Sequence, residues 1–279
     1  MREMAGRLAG RSYVVSKRIA LARMPGHGTP LVVFSMGKTG STAIARAVQD
    51  ATGRRVFQVF RLDRERLVQA EGRYRAGARP PFPGAMHLWE SEHLLRRPPS
   101  AAAPWTVITT VREPIAQAVS AFFHASGRRG LPGDDPTPGA LTETLLGEGW
   151  VRTPLRWFDR EFAPAFGIDV LSTPFEPELG HVVVEAPTAR VLVIRQESLA
   201  GAPDALARFL GRPAPVPVPA RNEATSKEYA GRYREFLTAV RLPAEVVDQA
   251  YASRYARRFY ADSELERFRL RWTKGSEAV

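Results

Sequence analysis

The stretch LVVFSMGKTGSTAIARAV (residues 31–48) decides the fold of this chain. Its first residues are apolar and include two valines and a phenylalanine, which predicts a buried strand over Leu31–Ser35. Apolar residues then recur at helical spacing and predict a helix over Ser41–Ala51. A Gly-rich loop joins the two elements. Because backbone N–H groups and the helix dipole both point at such a junction, the stretch predicts an anion-binding loop.

The loop residues themselves have the chemistry that suits an anion. Two glycines let the backbone approach a ligand closely, a lysine adds a positive charge, and the hydroxyl groups that follow can donate hydrogen bonds or cap the helix. We expect the anion to contact Gly37, Lys38, Thr39, Gly40, Ser41 and Thr42. A turn that only caps an ordinary helix is the alternative interpretation.

The composition indicates a soluble globular protein. The chain has 279 residues, of which 44% are hydrophobic and 25% charged, and no apolar run approaches the roughly 18–20 residues of a membrane helix. The basic N-terminus lacks the unbroken apolar stretch of a secretory signal. We expect a basic segment over residues 1–29 and a single domain over residues 30–279. We also expect a cytoplasmic protein, and the basic segment leaves open a peripheral contact with the inner face of the membrane.

Cysteine content and charge narrow the chemistry further. The chain has no cysteine, which excludes disulfides, thiolate metal ligands and a cysteine nucleophile. The formal net charge of +11 attracts anions such as nucleic acid, phosphorylated cofactors or acidic sugars. No stripe of arginines interleaved with aromatic residues marks a nucleic-acid face, so we do not expect a nucleic-acid partner.

Apolar runs alternate with helical patterns along the chain, which predicts an α/β fold. The predicted strands after the first are Val56–Phe60, Gly84–Glu90, Trp105–Pro114 and Val191–Ile194. Such alternation is typical of a three-layer architecture in which helices flank a mostly parallel central sheet.

The loop is not an ATP-binding Walker A loop. That motif requires a glycine five positions before Gly37, where this chain has Val32. A nucleotide triphosphatase also places an aspartate at the end of an apolar strand to hold Mg²⁺, whereas the two buried strands here end in Arg112 and Arg195. A basic residue at that place suits an anion directly.

A second element follows the strand that begins at Trp105. Arg112 ends the strand, Pro114 starts a helix, and Ser120 lies two turns into that helix. One cation and one hydroxyl group can hold a single phosphate at the mouth of a sheet. The alternative is a structural salt bridge for Arg112 and helix packing for Ser120.

Together the two elements resemble those of the sulfotransferases that use 3′-phosphoadenosine 5′-phosphosulfate (PAPS). The motif R-x-P-x-x-x-x-x-S of that family is matched in order and spacing by VREPIAQAVS (residues 111–120), and VLVIRQESL resembles a further family strand except that Ser198 replaces an aspartate. More narrowly, FSMGKTGST, VREPIAQAVSAFF and WFDREFAPAFGIDVLSTPF resemble bacterial capsular-polysaccharide synthesis and sulfotransferase-like proteins. The resemblance covers Leu31–Phe236.

The resemblance implies a P-loop-NTPase-like sulfotransferase fold and the transfer of a sulfuryl group from PAPS to a hydroxyl group of a carbohydrate. It implies that Lys38 contacts the bridging and sulfuryl oxygens, and that the backbone of Gly37–Thr42 holds the 5′-phosphate. Arg112 and Ser120 then hold the 3′-phosphate, which distinguishes PAPS from ATP. No metal is required, and the product is adenosine 3′,5′-bisphosphate.

The acceptor hydroxyl group needs a general base. Of the five histidines, His87 lies in the expected strand between the two cofactor elements, where carbohydrate sulfotransferases of this type often carry a histidine. Glu90 is the second candidate. Packing within the strand is the alternative role for His87.

A basic segment late in the chain completes the expected site. Arg221 and Lys227 come just before an aromatic helical stripe, and the resemblance implies that they contact PAPS phosphates or an acidic acceptor. A solvated helix start is the alternative. Two other function classes stay open for the whole chain, namely an Mg²⁺-dependent P-loop kinase or NTPase and a non-catalytic polyanion-binding protein.

Overall fold

A single mostly parallel sheet forms the centre of the molecule. The computed structural model describes residues 14–22, 24, 28–75, 85–129, 136–219 and 229–275, and in this part of the chain five strands pair in the order β2-β1-β3-β5-β4. The strands are β1 (Leu31–Phe34), β2 (Val56–Val59), β3 (Trp105–Val111), β4 (His181–Ala186) and β5 (Ala189–Arg195). All neighbouring strands are parallel except β4, which pairs antiparallel with β5 at one edge.

Helices cover both faces of this sheet. The helices are α1 (14–22), α2 (Ser41–Thr52), α3 (Arg64–Arg75), α4 (Met86–Leu94), α5 (Pro114–Arg129), α6 (Pro138–Gly147), α7 (Arg152–Trp157), α8 (Ala163–Phe166), α9 (Ala202–Leu210), α10 (Ala230–Ala239), α11 (Ala244–Tyr251), α12 (Arg254–Phe259) and α13 (Asp262–Lys274). A π-helix (Phe158–Phe162) joins α7 to α8, and 3₁₀ turns lie at Val170–Ser172 and Gln196–Gly201.

Two separate apolar cores show that the architecture has three layers. Side chains alternate along β1, so that Leu31 and Val33 pack with α2 and α9 while Val32 and Phe34 pack with the remaining helices. Both sets are fully buried, which explains why β1 is continuously apolar rather than alternating. The predicted three-layer α/β fold with a mostly parallel sheet is confirmed.

The strand predicted over Gly84–Glu90 is wrong. Gly84 lies outside the described residues, and the rest of the stretch begins α4, with Leu88 and Trp89 buried against the sheet side of the core. An apolar run of this length cannot distinguish a strand from a buried helix by periodicity. Met, Leu and Glu favour the helical state here.

The basic N-terminal segment packs against the domain over its described part. Lys17 in α1 forms ion pairs with Glu71 of α3, at 2.8 Å, and with Glu92 of α4. Ala20 and Leu21 contact the larger core. This part of the segment is therefore a helix attached to the domain surface.

The strand order fixes where a ligand can enter. The chain leaves β1 for β2 on one side, and β3 then pairs with β1 on its other side. In open α/β sheets such a reversal opens a crevice outside the carboxyl ends of the strands. The loop after β1 and the residues after β3 both lie at this switch point.

Candidate functional site

The loop between β1 and α2 has an unusual backbone conformation. Lys38 has φ of 70° and Gly40 has φ of 84°, so both lie in the left-handed region that non-glycine residues rarely adopt. Gly40 is the N-cap residue of α2 and provides no side-chain cap. The first N–H groups of a twelve-residue helix therefore meet the loop without a capping side chain, as an anion site requires.

Gly40 and Gly37 differ in what the protein demands of them. A Cβ atom at Gly40 would come 3.3 Å from Leu199 Cδ1, in addition to the strain of a positive φ. A Cβ atom at Gly37 would meet no protein atom within 4 Å. The fold therefore needs the glycine at position 40, whereas the space beside Gly37 is open for a ligand that approaches the backbone.

Thr39 attaches the loop to the sheet. Its side chain is fully buried, and its Oγ1 lies 2.9 Å from the Met36 carbonyl and 2.6 Å from Oγ1 of Thr110 in β3. The hydroxyl group is therefore occupied inside the protein. An anion in the loop would have the backbone of Thr39 within reach rather than its side chain.

Two side chains after β3 hold the same loop from the other side. Arg112 donates from its guanidinium group to the Lys38 carbonyl at 3.0 Å, and Gln117 donates from Nε2 to the Gly37 carbonyl at 2.7 Å. Ser120 follows Gln117 by three residues and therefore shares the face of α5 that is turned to the loop. The structure thus brings the two sequence elements together at one edge of the sheet.

Tyr255 fixes the backbone of Arg112. Its hydroxyl group donates to the Arg112 carbonyl at 2.8 Å and accepts from the Arg112 N–H at 3.1 Å, across 143 residues of chain. Full burial raises the pKa of Tyr255 far above its ordinary value, so the hydroxyl group keeps its proton. This bridge sets the direction in which the guanidinium group leaves β3.

Glu113 connects the same corner to the C-terminal helices. Its carboxylate accepts from the backbone N–H groups of Ile115 and Ala116, both at 2.7 Å, and thereby caps α5. It also accepts from Tyr251 Oη at 3.0 Å and Trp272 Nε1 at 3.1 Å. Burial raises the pKa of Glu113 despite these donors.

Gln58 of β2 supports the first turn of α2. Its Nε2 lies 3.1 Å from Ser41 Oγ and 2.9 Å from Thr42 Oγ1, and it donates to both. Its backbone N–H donates to the Glu90 carboxylate at 3.0 Å, and Arg55 forms an ion pair with the same carboxylate at 2.8 Å. Burial raises the pKa of Glu90, although Arg55 opposes the shift.

These contacts place the two candidate bases differently. Glu90 is buried between α4 and β2 and bonds to both partners named above. His87, in the first turn of α4, lies with its ring 5.2 Å from the ring of Phe60, which directly follows β2. His87 therefore lies at the carboxyl edge of the sheet, on the side of the loop.

Arg195, the other arginine that ends a buried strand, has a structural role. Its side chain is 3% exposed, pairs with Glu264 of α13, donates to the Pro177 carbonyl at 2.9 Å and covers the ring of Tyr260. Although partial burial opposes it, the hydrogen bonds from Arg195 lower the pKa of Glu264. Arg221 and Lys227 lie outside the described residues.

Several contact residues in this corner were missed by the sequence analysis. Glu113 has a local signal, because a carboxylate directly before a helix-starting proline is a natural cap. Tyr255, Gln58 and Gln117 have none, because their partners lie far away in the sequence.

Comparison with known families bears on the second half of the chain. Residues 145–261 match a family model described as "Putative capsular polysaccharide synthesis protein". Searches of curated proteins and of solved structures give no significant match. The resemblance of this stretch to capsular-polysaccharide proteins is thereby confirmed, while the sulfotransferase resemblance stays a prediction.

The matched stretch, which we call the capsular-polysaccharide segment, covers less than half of the chain. It contains β4, β5, Tyr255 and the helices from α7 to α12, whereas the loop after β1 and Arg112 precede it. Within the described residues, no helix has the length and apolarity needed to cross a bilayer. Among the same described residues, no group of three or more His, Asp or Glu side chains is arranged so that it could hold a metal ion.

Proposed function

We propose that the protein transfers a sulfuryl group from PAPS to a hydroxyl group of a carbohydrate and has a P-loop-NTPase-like sulfotransferase fold. The observation that carries the proposal is the hydrogen bond from Arg112 to the Lys38 carbonyl at the switch point of the sheet. It places a second cation directly beside the loop at the start of α2. A donor with two separate phosphate groups suits such a pair of cationic sites.

The shape of the loop supports a ligand that lies against the backbone. The open space at Gly37, the left-handed conformation of Lys38 and the uncapped start of α2 all favour a bound phosphate group. Arg112 uses one nitrogen for the Lys38 carbonyl and has further donors for the 3′-phosphate, with Ser120 on the adjoining face of α5.

In the proposed reaction the acceptor oxygen attacks the sulfur atom in line with the departing phosphate oxygen. One sulfur–oxygen bond forms, the bond to the 5′-phosphate breaks, and adenosine 3′,5′-bisphosphate leaves. Lys38 stabilises the charge that develops on the departing oxygen. His87 accepts the proton of the acceptor hydroxyl group, with Glu90 as the second candidate for this role.

The capsular-polysaccharide segment supports a carbohydrate as the acceptor. A magnesium-dependent kinase is less consistent with the site. Val32 replaces the first glycine of a Walker A loop, and β3 is followed by Arg112 rather than by an aspartate. A polyanion-binding protein without activity is the remaining candidate. An assay of sulfuryl transfer distinguishes it from the proposed enzyme.

The test compares ligands that differ in one phosphate. We expect adenosine 3′,5′-bisphosphate to raise the melting temperature more than AMP or ATP with Mg²⁺, since a ligand at a hundred times its Kd stabilises by about 2.7 kcal/mol. Formation of the bisphosphate from PAPS in the presence of a glycan would then demonstrate transfer. No response to the bisphosphate would overturn the proposal, and binding without turnover on any glycan would leave only a binding protein.

A further inference from the structure

A basic cleft of about 650 Å³ lies between the segment after β2 and the helices α7 and the π-helix. Its wall contains the five arginines Arg61, Arg66, Arg152, Arg156 and Arg160. We call it the arginine cleft. Its volume is in the range of ordinary ligand pockets, which are about 300–1,000 Å³.

Two parts of the chain build this cleft. Arg152, Arg156 and Arg160 recur at every fourth position along α7 and the π-helix and therefore share one face. Phe162 packs on the core side against Phe34, with ring centroids 5.7 Å apart. Trp157 contacts Phe34 at 4.9 Å and also lines the cleft. The opposite wall comes from the segment after β2, which contributes Arg61 and Arg66.

The cleft carries a net positive charge, because its five arginines share a single lining carboxylate, that of Glu161. Arg66 forms an ion pair with Glu161 at 2.6 Å. In the described part of the chain no carboxylate lies within 4 Å of the other four guanidinium groups, although the charge of Arg61 also acts on Glu161. Like charges that lie close together repel each other, so an anion with several charges would be bound favourably.

The cleft is connected to both parts of the proposed mechanism through neighbouring residues. Trp157 contacts Phe34, the last residue of β1, and the anion-binding loop begins directly after it. Arg61 follows Phe60, whose ring contacts His87. Trp157 and Phe60 thus connect the cleft to the loop and to the candidate base, although neither the loop nor His87 lines it.

We propose that the arginine cleft binds the acceptor and that the acceptor is an acidic saccharide with several carboxylate groups. That the bound saccharide is the acceptor rests on the proposed function. That the cleft binds an acidic saccharide does not depend on it. The guanidinium group of arginine binds a carboxylate through two parallel hydrogen bonds. This pairing orients the ligand in addition to attracting its charge. The capsular-polysaccharide segment supplies the three arginines of α7 and the π-helix.

The binding experiment uses a matched pair of ligands on the full chain. The probe is an oligosaccharide of alternating glucuronic acid and N-acetylglucosamine, and its control is the same oligosaccharide with the carboxyl groups reduced to alcohols. We expect isothermal titration at physiological salt to show binding of the acidic form at least about tenfold tighter, because the reduced form lacks the charged hydrogen bonds to the arginines. Equal binding of both forms would overturn the proposal.

A pair of double variants locates the binding. Arg152→Gln with Arg156→Gln should weaken the acidic oligosaccharide at least about tenfold. The control, Arg54→Gln with Arg212→Gln, removes the same charge at the amino edge of the sheet, where Arg54 bonds to the Thr29 carbonyl. The affinity of this control variant for the acidic oligosaccharide should stay within about twofold of that of the original protein. Equal losses in both would show that only net charge matters and would overturn the cleft as the site.

Binding of the bisphosphate separates this inference from the proposed function. Both double variants should retain the melting-temperature shift with adenosine 3′,5′-bisphosphate, which also shows that they are folded. A bisphosphate response without acidic-saccharide binding refutes the cleft alone, and saccharide binding without a bisphosphate response refutes the sulfotransferase alone. Tighter binding of single-stranded DNA or of phosphatidylserine vesicles through Arg152 and Arg156 would overturn the saccharide assignment.

Discussion

Arg112 and Lys38 are 74 residues apart in sequence, and the guanidinium group of the first donates to the carbonyl of the second at 3.0 Å. The two elements that the sequence marks as anion sites are therefore one structural unit. If the unit binds PAPS, loss of Arg112 should affect the two phosphates unequally. We expect Arg112→Ala to weaken adenosine 3′,5′-bisphosphate at least about tenfold and AMP much less, by isothermal titration. Equal losses for both ligands would contradict the role given to Arg112.

Lys38 should show a conflict between stability and activity. Its left-handed backbone costs a non-glycine residue roughly 1–2 kcal/mol. We therefore expect Lys38→Gly to unfold at a higher urea concentration than Lys38→Ala, which reverses the order found in helices. Both variants should lose sulfuryl transfer by at least about 100-fold, because the charge at the departing oxygen is gone. Full activity in either variant would refute the proposed role of the lysine.

Gly37 and Gly40 should separate ligand binding from folding. Gly37→Ala adds a methyl group to open space, so its free energy of unfolding should stay within about 0.5 kcal/mol of the original while bisphosphate binding weakens. Gly40→Ala meets both the strain of a positive φ and Leu199, and should lose about 1–2 kcal/mol of stability. Unchanged bisphosphate affinity in Gly37→Ala would show that the ligand does not approach this backbone.

Tyr255→Phe should weaken a site whose ligand it does not contact. The variant leaves the N–H and carbonyl groups of Arg112 without their partner, which should cost about 1–3 kcal/mol in urea unfolding. The affinity for adenosine 3′,5′-bisphosphate should fall together with the stability. Tyr233→Phe on α10 is the matched control and should stay within about 0.5 kcal/mol. A Tyr255→Phe protein as stable as this control would show that the bridge to Arg112 contributes nothing.

Glu90 should give the stability a characteristic pH dependence. Burial raises its pKa above the ordinary 4.5, so above pH 4.5 the folded state holds a proton that the unfolded state releases. The stability contributed by this group therefore falls as the pH rises through the raised pKa. We expect Glu90→Gln to gain stability relative to the original protein between pH 4.5 and 7, as measured by urea unfolding at several pH values.

The Asp248→Asn variant should show the opposite dependence of stability on pH. The hydrogen bond from Arg269 lowers the pKa of Asp248, so the stability that this aspartate contributes is lost as the pH falls. The difference between Asp248→Asn and the original protein should therefore grow in the original protein's favour as the pH rises from 3 to 5. Parallel pH curves for Glu90→Gln and the original protein would contradict a raised pKa of Glu90.

The sequence predicts those parts of the fold that local signals specify. β1 and α2 were predicted to within one residue at each end, because an apolar run, glycines and helical spacing coincide there. α4 was mistaken for a strand, because its apolar run is short and it is buried on more than one side. β4 and β5 form a hairpin that residues 187–188 join, but Pro-Thr is not among the dipeptides that predict a two-residue hairpin turn.

The residues of the candidate site likewise divide into those with a local sequence signal and those without one. The loop and Arg112 were marked by residue type and spacing, and their proximity follows from the strand order. Arg195 has the same position at the end of a strand, yet it pairs with Glu264 at the start of α13. Only the tertiary contact distinguishes the two arginines. The arginine cleft was missed for the same reason, because its two walls lie far apart in the chain.

The contact between Glu113 and Trp272 has a consequence for how the protein matures. The two residues are 159 positions apart, and the indole is one of the donors that hold the cap of α5 beside Arg112. Chains are synthesised from the N-terminus, so the loop and Arg112 emerge long before their supports. We expect a nascent chain that ends before α13 to bind the bisphosphate poorly. Competence for the ligand would then appear only once α13 has docked, and a chain at an earlier stage of synthesis would be unable to sequester the donor.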